Sequence, residues 1–208
     1  MPAPETLAAF FATSVLLALA PGPDNLFVLT QSALRGKAAG LCVTFGLCTG
    51  LLVHTTAVAL GLAALFAASA MAFTVLKLCG AAYLLWLAWQ AFRASSTALQ
   101  TAAPVRLTGW QLYRRGIVMN ITNPKVSIFF LAFLPQFADP ARGPLTLQIL
   151  LLGAIFILST IVIFGGIALL AGMLGDWLTR SPGVQRVMNR MTGAIFTALA
   201  LRLALSER

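Results

Sequence analysis

Six apolar runs constrain this chain more than anything else in it. They lie at roughly 4–32, 38–67, 71–92, 112–137, 145–174 and 184–205. Each exceeds the about 18 residues that mark a membrane span and is long enough to cross about 30 Å of hydrocarbon as a helix. In lipid every backbone N–H and C=O must bond internally, so only helices and closed barrels are viable. The period-2 alternation of a barrel strand is absent from these runs. Composition excludes a water-soluble alternative: 9% of the 208 residues are charged and 60% are hydrophobic, where a soluble domain carries about 25% charged residues. The polar residues are too few to cover a soluble surface.

The net charge of +9 does not point to nucleic acid, because no basic stripe is interleaved with aromatics. The positive residues instead sit in short clusters between the apolar runs, where membrane proteins use them for orientation. Cys42, Cys48 and Cys79 all fall inside apolar segments without C-x-x-C spacing and read as small buried hydrophobes. Ala18-Leu19-Ala20 has the look of a signal-peptidase site, but residues 1–10 hold Glu5 and no basic residue. The stretch therefore reads as the first half of a real span.

Charge asymmetry sets the expected topology. Arg35, Lys37, Arg93, Arg106, Arg114, Arg115, Arg180, Arg186 and Arg190 fall on one side, and Arg142, Arg202 and Arg208 on the other. Nine against three places both termini outside. A polar connector at 93–111, rich in Ser, Thr, Ala and Gln with Pro104, is then cytoplasmic and divides the chain near its midpoint. Three spans per half force the second half to insert upside down relative to the first. The expected fold is an all-α membrane protein, a single domain over 1–208. Its six transmembrane helices form two inverted three-helix repeats, 1–92 and 112–208, an architecture that places a transport site at the repeat interface.

Two spans are interrupted. Span 1 carries Pro21-Gly22-Pro23-Asp24-Asn25, and span 4 carries Asn123-Pro124-Lys125 with Asn120 one turn earlier. A proline removes a helix hydrogen bond and clashes with the preceding turn. The freed backbone is tolerated at membrane depth only where protein buries it or a cavity is lined by it. Pro23 and Pro124 are 101 residues apart, close to half the chain, and matched breaks in two halves point to a binding site. The bland reading is a pair of kinks that merely shape packing.

Asp24 and Lys125 each follow the proline of their break and carry opposite charge. A charge near the bilayer centre costs at least about 2.5–3.5 kcal/mol, so it is paired or faces water. Either the two form a direct structural pair, or Asp24 holds a substrate ammonium or a coupling proton while Lys125 faces a carboxylate. On span 2, Gly46, Gly50 and His54 share one helix face. The glycines let another helix approach, and His54 is a proton carrier or a hydrogen-bonded packing residue. Lys77 on span 3 either snorkels to the surface or turns inward beside Gly80. Arg190, Gly193 and Thr197 form a polar stripe on span 6, and Tyr83, Trp86, Trp89 and Phe92 read as packing and interfacial aromatics.

At these residues the chain resembles the LysE/RhtB amino-acid exporter family. The likeness is carried by Ala20-Pro21-Gly22-Pro23-Asp24-Asn25 and by Lys77-x-x-Gly80-Ala81-Ala82-Tyr83-Leu84. It continues in Asn123-Pro124-Lys125 with Phe129-Phe130 and Leu134-Pro135-Gln136-Phe137 downstream. The resemblance spans essentially the whole chain. It implies a multi-pass carrier of the bacterial inner membrane, exporting amino acids and driven by proton influx. Substrate-binding or translocation residues are then Pro21, Gly22, Pro23, Asp24, Asn25, Gly46, Gly50, Lys77, Asn120, Asn123, Pro124 and Lys125, with Asp24 and His54 as proton-coupling candidates.

Other classes fit less well. A channel or carrier for a small inorganic cation favours several convergent carboxylates or thiolates, and Asp24 is the one acid at depth. A membrane enzyme needs clustered carboxylates or histidines. A purely structural subunit leaves the broken helices and buried charges without a use. The expected partners are an amino acid, protons and the lipid bilayer, not nucleic acid, with homo-oligomerisation left open. No cofactor, metal site or catalytic residue is expected.

Overall fold

The computed structural model describes residues 1–68, 70–94, 107–180 and 182–205. Most of the connector, with Arg106, lies outside the described residues, as does Arg208. The described residues are mostly helical and contain no strand. The helices are α1 (Pro4–Leu19), α2 (Pro23–Arg35), α3 (Lys37–Ala68), α4 (Ala70–Arg93), α5 (Gly109–Ile121), α6 (Pro124–Ile128), α7 (Leu145–Arg180) and α8 (Pro182–Leu205). A π turn, Phe129–Phe133, and a 3-10 turn, Leu134–Phe137, carry the chain on from α6.

Three stretches are long and apolar enough to cross a membrane on their own: Lys37–Gly61, Thr74–Arg93 and Leu145–Ala171. Two bent pairs reach that standard together, α1 with α2 and α5 with the run Pro124–Phe137. The chain is a multi-pass membrane protein by these elements. The sixth expected span, α8, is a helix of 24 residues but falls short of the same standard. Arg186, Arg190 and Arg202 along it dilute its hydropathy. Helix α5 starts at Gly109, inside the stretch read as connector, because Thr108 and Gln111 form a capping box. The Thr108 hydroxyl accepts from the Gln111 N–H and the Gln111 side chain accepts from the Thr108 N–H.

Small residues set how the helices pack. A Cβ at Gly46 would overlap the Tyr113 carbonyl, one at Gly116 would overlap the Val43 carbonyl, and one at Gly50 would lie 2.7 Å from the Asn120 side chain. Residue numbers rise together along this contact, so α3 and α5 run parallel and nearly touch backbone to backbone. Gly40 meets Ala168 while Gly153 meets Thr55, so α7 runs antiparallel to α3. Gly80 meets Leu203 and Gly193 meets Phe92, which makes α8 antiparallel to α4. Helices α1 and α2 pack on α7, as α5 packs on α3. Each broken pair thus has a helix against the long central helix of the other half, and α2 packs as closely on α3 of its own.

Two buried apolar clusters lie one above the other. The larger contains Phe10, Phe129, Phe130, Phe133, Phe137 and Phe156. It sits at the end where the Met1 ammonium bonds the Arg142 carbonyl and the Arg202 guanidinium lies 4.4 Å over the Phe137 ring. The smaller contains Val28, Val43, Leu47, Leu112 and Phe164, toward the end where Arg35 donates to the Leu107 carbonyl at 3.0 Å. Large apolar side chains such as Phe45, Leu60, Trp89, Leu158 and Val162 are exposed around the flanks, which in a membrane protein is the lipid-facing belt.

Candidate functional site

The first break follows from missing N–H groups. In a continuous helix the N–H of residue 21 would bond the Leu17 carbonyl and that of residue 23 the Leu19 carbonyl; both positions are proline and have no N–H. Helices α1 and α2 meet here at 61°. The freed carbonyls at the end of α1 find other donors. Asn25 Nδ2 donates to the Ala18 carbonyl at 2.7 Å. Lys125 Nζ, from the other half, donates to the carbonyls of Ala20 at 3.1 Å and Leu17 at 3.4 Å. Gly22 makes room for this: a Cβ there would lie 3.2 Å from Lys125 Nζ.

The second break repeats the logic with different donors. Pro124 lacks the N–H that would bond the Asn120 carbonyl, and the helix bends by 50°. That carbonyl accepts from the Asn123 N–H at 3.1 Å and from His54 Nε2 at 3.3 Å, which fixes the tautomer with the proton on Nε2. Asn123 then serves both breaks. Its Oδ1 accepts from the Lys125 N–H at 3.0 Å and caps α6, while its Nδ2 donates to Asp24 Oδ2 at 2.9 Å.

Both charged side chains are buried, Asp24 to 4% and Lys125 to 9% exposure. They do not form the direct ion pair that was one reading of the sequence. Among the described residues an ion pair joins Asp139 and Arg142 instead, at 3.5 Å. Helix dipoles explain the separation. Asp24 lies in the first turn of α2, at its positive end, and Lys125 reaches the negative carbonyl end of α1. Each charge is held by the terminus that favours it, and the carboxylate keeps one oxygen, Oδ1, with no hydrogen-bond partner.

These groups open onto one cavity of about 330 Å³, counting its mouth. Asp24, Asn120 and Lys125 line it, together with Leu17, Leu47 and Leu51 and three α7 residues, Phe156, Thr160 and Phe164. Asn120 Oδ1, like Asp24 Oδ1, is buried without a partner. The residues around the cavity therefore carry two unpartnered acceptor oxygens and one ammonium in an apolar frame, a set suited to a small molecule bearing both a cationic donor and an acceptor.

The other expected residues fall around it. Pro21, Gly22, Pro23, Asn25, Asn123 and Pro124 build the breaks behind the cavity wall, while Gly46 and Gly50 form the α3–α5 contact that seats Asn120. His54 is half-buried, its ring 5.6 Å from that of Phe130; it reaches the Asn120 carbonyl and does not line the cavity. Lys77 is partly exposed on α4 and does not line the cavity. The α7 residues were missed by sequence reasoning. Their i, i+4, i+8 spacing was the available signal, but any packed face of an apolar helix shows the same spacing.

Comparison with known proteins bears on this geometry. Residues 15–207 match the family described as LysE type translocator. The chain is 37% identical over 197 residues to the homoserine/homoserine lactone efflux protein of Salmonella typhimurium, covering 94% of each. It is 35% identical over 199 residues to an uncharacterised membrane protein of Vibrio cholerae, covering 96% of each. It is 24% identical over 196 residues to the leucine efflux protein of Salmonella choleraesuis, covering 94% of this chain and 92% of that one. No solved structure matches.

Proposed function

Since the chain belongs to the LysE type translocator family, we propose that it is a secondary transporter exporting an amino acid or a close derivative across the bacterial inner membrane by proton antiport. The observation that carries this is the cavity between the two broken helices, where a buried carboxylate with a free oxygen faces the same space as a buried ammonium. Asp24 Oδ1 and Asn120 Oδ1 receive the substrate's ammonium. Lys125 commits two N–H groups to the Leu17 and Ala20 carbonyls, and its third donates to a carboxylate or ester oxygen. A proton and an ammonium compete for the same Asp24 oxygen, since a protonated carboxyl no longer attracts a cation. One site loaded alternately by the two is the minimal antiporter.

The arrangement in the membrane belongs to the same reading. Six spans form two inverted repeats, with α1, α2, α3 and α4 against α5, α6, α7 and α8 and the termini periplasmic. Support comes from the reciprocal packing of α5 on α3 and of α1 and α2 on α7, and from α8, which runs antiparallel to α4 along its length. The names of the relatives cited above favour an amino acid or its lactone as cargo over an inorganic cation.

Proteoliposomes loaded separately with labelled homoserine, homoserine lactone, leucine and a basic amino acid test the proposal. At least one should leave faster when a proton gradient drives protons inward. Efflux of none overturns the exporter reading, and efflux indifferent to the gradient overturns the antiport.

A further inference from the structure

The three α7 residues at the cavity lie two turns from end to end, and each touches a different part of the structure. Phe156 belongs to the phenylalanine-rich cluster toward the Met1–Arg142 end. Phe164 belongs to the separate cluster of Val28, Val43, Leu47 and Leu112 toward the Arg35–Leu107 end. Thr160 lies between them and bonds within its own helix, its hydroxyl donating to the Phe156 carbonyl at 2.9 Å. Residues four apart on a helix share a face, so a single stripe of α7 carries an aromatic at each end of the cavity and a small polar residue at its middle. Both rings are buried, to 4% and 5% exposure. Each end of the cavity is thus bordered by a cluster that contains one of these rings.

What lies beyond the second ring supports a path rather than plain core. On α2, Asp24, Val28 and Gln31 follow one helix face. Asp24 lines the cavity, Val28 belongs to the Phe164 cluster, and Gln31 is buried with its Oε1 unpartnered. A buried acceptor with no partner is uncommon in a packed core. Gln31 lies one turn beyond Val28 on the α2 face that starts at the cavity.

We propose that Phe156 and Phe164 are the two gates of the transport cavity, Phe156 closing it toward the Arg142 end and Phe164 toward the Arg35 end, with Thr160 facing the cargo between them. The assignment rests on the cavity being the central site of the carrier. Opening one ring at a time exposes Thr160 and the Asp24–Lys125 groups to one side only, which is what alternating access demands.

Thiol labelling tests this without any substrate. Cys42, Cys48 and Cys79 are replaced by Ala, Thr160→Cys supplies the reporter, and a small membrane-impermeant cationic methanethiosulfonate is added to vesicles of either orientation. Reference cysteines at Lys37 and Arg142, both exposed, identify which end faces the reagent. Phe164→Ala should raise the labelling rate about tenfold from the Lys37 side alone, the change that about 1.4 kcal/mol of lost gate closure produces. Phe156→Ala should do so from the Arg142 side alone, and Phe164→Leu and Phe156→Leu should give smaller rises from the same sides, which guards against a variant that merely unfolds. Reversed sides, a rise from both sides in the Leu variants, or unchanged rates overturn the proposal. Because the readout is labelling, one-sided gating with no amino-acid efflux would sink the exporter reading and leave the gates standing, and the reverse result would do the opposite.

Discussion

The two breaks look alike in sequence and are held in different ways. At each, proline withholds an N–H from the carbonyl four residues earlier, Leu17 in one case and Asn120 in the other. The first break has few resources of its own: Gly22 at the start of α2 makes no side-chain cap, and Leu17 and Ala20 rely on an ammonium from the other half. The second is largely self-sufficient, with Asn123 capping α6 by its side chain and its own N–H meeting the Asn120 carbonyl. The first half is therefore shaped by the second. A single residue, Lys125, ends α1 and equips the cavity, so the bent conformation of α1 and α2 is tied to the state of the site.

The sharpest way to break this comparison is Lys125→Met. It strips the donor from two buried carbonyls, at about 1–3 kcal/mol for each group left unsatisfied, and removes the cation opposite Asp24. Most efflux should be lost and thermal unfolding in detergent should come at lower temperature. The double variant Asp24→Asn with Lys125→Met discriminates further. If charge pairing alone mattered, neutralising both would restore stability; with Lys125 acting as the cap of α1, the double variant should stay destabilised. Full recovery of stability would refute the capping role.

Next in size is the replacement of Pro21, Gly22 and Pro23 by Ala. It restores the N–H groups that α1 lacks and puts a Cβ 3.2 Å from Lys125 Nζ. The variant should insert but transport nothing. Pro124→Ala should retain part of its activity, because Asn123 still caps α6 from its side chain. Equal losses from the two replacements would mean the breaks are equivalent after all. Asn123→Ala is smaller again: it removes a helix cap worth about 1 kcal/mol together with the donor to Asp24. Asn123→Asp separates the two roles, since it keeps the cap but sets a second carboxylate against Asp24. Its stability should exceed that of Asn123→Ala if capping dominates, and efflux should be weaker than wild type in both.

Much of this was legible in the sequence, for reasons that also mark where legibility stops. The breaks could be read because proline has one local effect wherever it stands. The Gly46 and Gly50 contact could be read because only a missing side chain lets backbones meet. The partner of Lys125 could not, since charge suggested Asp24 while the answer lay in backbone carbonyls that no residue code spells out. It was implicit all the same: Pro21 leaves Leu17 without a donor, and a buried cation is the strongest donor at hand. Phe156, Thr160 and Phe164 were hidden for another reason. On a helix apolar on every side, lipid-facing and cavity-facing stripes carry the same residues, and only the neighbours distinguish them. Helix α8 shows the converse limit, a well-formed helix alongside α4 whose arginines keep it below a hydropathy standard.

The smallest effect is expected at His54, and it decides between two roles. As a packing residue, His54 is a second donor to the Asn120 carbonyl, which also holds the Asn123 N–H at 3.1 Å. Losing one of two partners leaves the carbonyl satisfied, so His54→Leu should cost about 1 kcal/mol, the net worth of an ordinary hydrogen bond. Efflux should fall by a few-fold at most, and His54→Gln, which keeps an N–H donor, should recover most of it. As a proton carrier, His54 would behave differently, because neither Leu nor Gln titrates. Both variants would then lose efflux driven by a proton gradient while still exchanging labelled for unlabelled substrate across the membrane, a process that needs no net proton movement. Measuring driven efflux and exchange side by side in the two variants separates these cases. The geometry favours the first: His54 reaches the break from outside the cavity surface and touches the carbonyl that Pro124 set free, as Lys125 touches the one set free by Pro21. Gradient-driven efflux abolished in His54→Gln with exchange intact would overturn that symmetry and move His54 into the proton path.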